Sequence, residues 1–100
     1  MLVIVLEGAP PRLTGRLSLW FAEVRAGVFV GRASRRLRER VWAEVCADLG
    51  PGGSAVMAAA EANEAGFAFW TAGPNRRRPV MSDGFPLVAF DPPAPPPAAY

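Results

Sequence analysis

Three segments of this chain that read as strands carry apolar side chains on both faces, yet the chain has material for only two covering helices. Leu2 to Glu7 is nearly continuous in apolar residues, as in a central strand covered on both sides. Ser54 to Ala60 is apolar on both faces. So is Phe67-Ala68-Phe69-Trp70, within a strand from Phe67 to Ala72, because side chains alternate. Two helices cover one face of a sheet. The chain has nothing left for the other face except its tail. A homodimer formed sheet to sheet, or through swapped edge strands, is therefore expected.

The remaining segments fill in the order of elements. Pro11 can open a helix, since its missing N–H is not needed there. Leu13, Leu17, Trp20, Phe21 and Val24 then follow helical spacing. Gly27 and Gly31 bracket a short strand, Val28-Phe29-Val30. Ser34 is a candidate N-cap for a second helix whose apolar stripe is Leu37, Val41, Trp42, Val45 and Leu49. Arg35/Glu39 and Arg40/Glu44 are spaced as surface pairs on it. Gly50-Pro51-Gly52-Gly53 ends this helix, Asn63 to Gly66 joins a hairpin, and Gly73 to Pro79 is expected as a basic loop. Asp83-Gly84 reads as a turn before a last strand, Phe85 to Phe90. The order predicts an α+β sandwich of the ferredoxin-like kind: a mainly antiparallel sheet, two helices on one face and an extra C-terminal strand. Residues 1–90 form the domain, and the Pro/Ala-rich tail 91–100 is expected to be disordered or extended.

Composition excludes several chemistries. There is no histidine, so imidazole bases, Ser-His-Asp triads and histidine metal sites are absent. Any hydrolysis would run on carboxylates and a hard metal ion. Cys46 is the only cysteine, which rules out an intrachain disulfide and fits a cytoplasmic location. Its expected role is that of a small apolar core residue. No apolar run is long enough to span a membrane, so no membrane partner is expected.

All eleven basic residues are arginine, although the net charge is only +2. A guanidinium forks onto two phosphate oxygens at once, so the position of each arginine matters. Arg76, Arg77 and Arg78 stand together between Gly73-Pro74 and Pro79 and form the first candidate for phosphate contact. The plain alternative is a solvated loop. A dimer would double the cluster to the footprint of a duplex. Arg12 and Arg16 lie one turn apart on the first helix, and Arg36 and Arg40 on one side of the second. Arg38 falls toward the apolar arc of that helix, which suits either a binding role or a salt bridge. Glu7 ends the first strand as a candidate metal ligand, or as a solvated residue paired with an arginine. A twofold axis could bring two Glu7 side chains together around Mg²⁺. Trp20, Trp42 and Trp70 sit in apolar stripes or strands and are assigned to packing.

The segments MLVIVLEGAPPRLTGRLSLWFAEVRAGVFVG, RLRERVW, SAVMAAA, NEAGFAFWTAGPNRRRPV and LVAF, in this order, resemble the small CRISPR-associated adaptation protein of the type I-E systems over about residues 1 to 90. The resemblance implies a ferredoxin-like homodimer that bridges two dimers of the CRISPR integrase and holds prespacer duplex DNA, while the integrase carries the chemistry. It implies backbone contacts from Arg76 and Arg77, with Arg12, Arg16, Arg36 and Arg38 as secondary contacts on the same surface. Docking on the integrase would fall to the region from about Val80 onward, as an apolar edge strand suits. Many relatives outside this subfamily carry an aspartate at the end of the first strand and are assigned metal-dependent nuclease activity. Glu7 holds that position here, as candidate catalytic residue and candidate Mg²⁺ ligand, with a longer side chain that alters metal geometry. Mg²⁺ is not required for the scaffold role.

Three functions therefore stand side by side. The first is a DNA-bridging scaffold of spacer acquisition. The second is a Mg²⁺-dependent endonuclease, on RNA or DNA, using paired Glu7 across the dimer axis. The third is a module of the same fold that binds only protein.

Overall fold

The structure, a computed structural model, describes residues 1–74 with their side chains, and the backbone of residues 77–82 and 85–90. The elements in order are β1 (Leu2–Glu7), α1 (Pro11–Leu17), β2 (Ala22–Arg25), β3 (Val28–Gly31), α2 (Arg35–Asp48), β4 (Ser54–Ala60), β5 (Phe67–Ala72), β6 (Arg77–Ser82) and β7 (Phe85–Phe90). The first five strands form one sheet in the order β2-β3-β1-β4-β5, antiparallel throughout. β6 and β7 pair separately as a two-stranded ribbon. This is the α+β ferredoxin-like arrangement that the segment order predicts.

One face of the sheet meets both helices. Leu2, Ile4 and Leu6 of β1, Phe29 of β3, and Ala55, Met57 and Ala59 of β4 are buried there. They pack in one cluster with Leu13 and Leu17 of α1 and with Val41 and Val45 of α2. Burying each such aliphatic side chain contributes about 1.5–3 kcal/mol, so this layer supplies most of the driving force. Ser34 caps α2 as expected, its hydroxyl accepting from the Leu37 N–H at 3.2 Å. The β4–β5 hairpin closes on Asn63, whose Oδ1 accepts from the Gly66 N–H at 2.7 Å. Gly66 takes φ +84°, a left-handed conformation suited to glycine.

Four expectations are corrected. The first helix stops at Leu17, and Ala22–Arg25 is an exposed edge strand. Helical spacing alone could not distinguish these. After Leu17 the chain descends through short bonds such as Leu19 N–H to Arg16 O at 3.1 Å, and Phe21 turns into the core. Gly31 makes room for it: a Cβ there would stand 2.7 Å from the Phe21 ring. The β2–β3 turn is then fixed by Glu23, whose carboxylate accepts from the Gly27 N–H at 3.0 Å. Second, the basic loop is shorter than expected, since Arg77, Arg78 and Pro79 already belong to β6. Third, Cys46 is exposed on α2 and is not a core residue. It follows Val45 on the helix, and only Val45 faces the sheet. Fourth, Glu44 turns from Arg40 toward Arg16, at 3.6 Å, whereas the Arg35–Glu39 pair forms as expected at 3.6 Å. Asp83-Gly84 and the tail 91–100 lie outside the described residues.

Candidate nucleic-acid interface

The sheet has two ends, and the candidate residues divide between them. Glu7 pairs in register with Ser54 at the end where β1 finishes, β4 begins and β5 finishes. Gly8, at φ +64°, turns the chain into α1, which carries Arg12, exposed on its first turn. The basic segment leaves β5 at this same end. Its first residue, Gly73, has φ +90° and lies so close to the Gly53 carbonyl that no Cβ could be accommodated. Gly53 is itself pressed on Leu49, since a Cβ there would stand 2.6 Å from the Leu49 oxygen. Backbone contact thus fixes the position of Gly73 as the chain leaves β5. Arg77 and Arg78 open β6 opposite Phe90 and Ala89, while Arg76 lies outside the described residues.

Arg36 and Arg38 stand at the other end. They occupy the first turn of α2, which follows β3, and the last residue of β3, Gly31, pairs with Leu2. β1 holds six residues at about 3.3 Å each. Roughly that length of strand separates them from Glu7. Arg36 is exposed. Arg38 is only 8% exposed. Its guanidinium donates to the Ala60 carbonyl at 3.3 Å and to Glu61 at 3.5 Å. Of the two roles open to Arg38 in the sequence, the salt bridge is the one the structure shows. Glu61, just past the end of β4, is its partner.

Arg16 is also engaged. Its guanidinium donates to Asp48 at 2.7 Å and lies 3.6 Å from Glu44, linking α1 to the last turns of α2. No local signal marks this pairing, because Arg16 and Asp48 are 32 residues apart. Among the candidate arginines whose side chains are described, Arg12 and Arg36 are exposed to solvent.

Glu7 is exposed. Among the described residues no group of three acidic or cysteine side chains converges. The sheet register places Glu7 on the face opposite the helices, with Val3 and Val5. That face continues through Val28, Val30, Val56, Ala58, Phe69 and Thr71, which are cross-strand partners. All are half-buried, and both described helices lie on the other side. Trp42 and Trp70 pack at the margin of the core, in line with their assignment to packing.

A small ferredoxin-like protein with an apolar outer sheet face and a basic segment at one end of it is thus defined by fold and surface. The chain belongs to a family of CRISPR-associated proteins of the Cas2 type: the family model described as CRISPR-associated protein (Cas_Cas2CT1978) matches residues 1–87. No helix among the described residues is long and apolar enough to cross a membrane.

Proposed function

We propose that this protein is the dimeric scaffold of a type I-E spacer-acquisition complex, working in the cytoplasm. Two copies stack through the outer sheet face, hold the backbone of prespacer duplex DNA, and bridge two integrase dimers. The observation that carries this is the row Val3, Val5, Val28, Val30, Val56 and Ala58 on the face away from the helices. Residues of this type on a whole sheet face favour a second copy over water. Stacking there gives one particle two basic segments, each launched by a Gly73 held against Gly53. Arginine forks then bind phosphate without reading sequence. The Arg76–Arg78 run contacts the duplex first, and Arg12 adds to it from the same end of the sheet. The ribbon from about Val80 onward docks on the integrase.

The test is duplex binding and acquisition by the double substitution Arg76→Ala, Arg77→Ala. Loss of both activities with the dimer intact is the expected result. Full acquisition by that variant overturns the scaffold reading. Nuclease chemistry is the second reading, favoured by the position of Glu7 on the outer face. Two Glu7 carboxylates would meet only across a dimer axis. Mg²⁺-dependent cleavage that survives Glu7→Ala rules it out.

A further inference from the structure

We propose that Glu7 of one copy pairs with Arg25 of the second copy across the stacked outer faces, so that these two charges set the register of the dimer. The inference rests on the stacking proposed above and names the polar contacts that fix it.

Strand pairing assigns each side chain of the five-stranded sheet to a face. Val5, Val28 and Arg25 are successive cross-strand partners, so Arg25 shares the outer face with Val5. Simple alternation from Ala22, which pairs with the outer-face Val30, would have turned Arg25 toward the helices. The register shift between Glu23 and Arg25 reverses this. A bulge of this kind inserts one residue and re-aims the side chain that follows. Glu23 stays on the other side, opposite the buried Phe29, and its carboxylate accepts from the Gly27 N–H. Glu7 reaches the outer face by plain alternation from Val3 and Val5.

Among the described residues, Glu7 and Arg25 are the only ionisable side chains that the five strands place on this face. They have opposite signs. Both are exposed, and among the described residues neither forms an ion pair within its own chain. Stacking takes this apolar face out of water. A charge buried there is strongly unfavourable unless it meets an opposite one. A carboxylate facing a guanidinium removes that cost, and a slipped stack would leave both unpaired.

The geometry suits a contact between copies. Glu7 lies two residues along β1 from Val5, and Arg25 lies two strands across from it, so their Cα atoms are about 12 Å apart in one chain. Stacked sheets stand about 10 Å apart, a gap that a glutamate and an arginine bridge from opposite sides. A twofold contact is also reciprocal. If Glu7 meets the partner's Arg25, then Arg25 meets the partner's Glu7. One pair of opposite charges per chain thus becomes two matched contacts per dimer. Each Glu7 carboxylate is then engaged by a guanidinium rather than by its twin.

The experiment measures the dimer dissociation constant of the full chain by sedimentation, with circular dichroism to confirm the fold. Glu7→Arg and Arg25→Glu each bring like charges together at both contacts. Each should weaken the dimer by at least about a hundredfold. The double exchange, Glu7→Arg with Arg25→Glu, should recover dimerisation to within about tenfold of the unsubstituted chain. The two single variants, mixed in equal amounts, should form heterodimers, because both contacts then join opposite charges. Arg40→Glu, on the exposed side of α2, alters net charge as much as Arg25→Glu does and should leave the dimer unchanged. Loss of the dimer in that control would assign the effect to net charge and overturn the pairing. Single reversals that dimerise like the unsubstituted chain overturn the pairing while the stacked dimer stands. A double exchange that stays monomeric overturns it as well. An unsubstituted chain that is monomeric overturns the stacking itself, and the pairing with it.

Discussion

The Arg38 guanidinium carbon lies 4.9 Å from the centroid of the Trp70 ring, joining the first turn of α2 to the edge strand β5. The same side chain bonds Ala60 and Glu61 at the exit of β4. Arg38→Ala should therefore destabilise the fold by about 2 kcal/mol, combining a charge-assisted bond with a partly desolvated cation–π contact. Arg38→Lys should recover less than half of this, because an ammonium cannot make the planar fork and stack together. Urea unfolding of the two variants measures both effects.

Arg16 and Asp48 form a link between helices that are only partly exposed at the contact. A double-mutant cycle on this pair should return about 0.5–1 kcal/mol, discounted for solvent screening. Raising the salt concentration should shrink the coupling. Because Arg16 is held by two acids, Arg16→Ala should weaken duplex binding less than Arg12→Ala does. Titration of a labelled duplex at fixed salt compares them.

Gly73 and Gly66 offer a matched pair of substitutions. Both have positive φ, +90° and +84°. A Cβ on Gly66 meets nothing within 4 Å, so Gly66→Ala should cost only about 1 kcal/mol from backbone strain. Gly73→Ala adds a collision with the Gly53 backbone and should cost at least twice as much. It should also redirect the arginine run and lower duplex affinity, whereas Gly66→Ala should leave affinity unchanged. Thermal melts and duplex titration of the two variants distinguish strain from displacement.

Val5 sits on the outer face beside Val28 and Val56. Val5→Arg places a charge there without touching the core below β1. The variant should remain folded by circular dichroism and sediment as a monomer. A dimer of unchanged stability would show that copies meet elsewhere.

Cys46 is exposed, yet partial burial raises its thiol above the ordinary value. Its thiolate fraction at neutral pH is correspondingly small. Reaction with a disulfide reagent should be slower than for a free thiol at the same pH, and should accelerate as pH rises toward the raised value. A rate–pH profile on the native protein checks this.

Much of the fold was legible because its signals are local. The nearly continuous apolar run in Leu2–Glu7, the Ser34 cap and the Asn63–Gly66 turn each depend on neighbours in sequence, and each formed where expected. Ala22–Arg25 was not legible. Its spacing suits a helix, and the chain becomes a strand only because β3 offers it an edge and Phe21 a place beside Gly31. Pairing across strands overrides local preference in such short segments.

The sequence by itself determined the class of elements, the apolar surplus on the sheet and the arginine-only basic content. Tertiary structure decided which arginines are available. Arg16 and Arg38 are drawn into ion pairs 32 and 23 residues away, and Arg36 stands at the opposite end of the sheet from Glu7. The physical reason is that charge is a property of one residue, whereas its partner is chosen by chain folding that brings distant segments within about 4 Å.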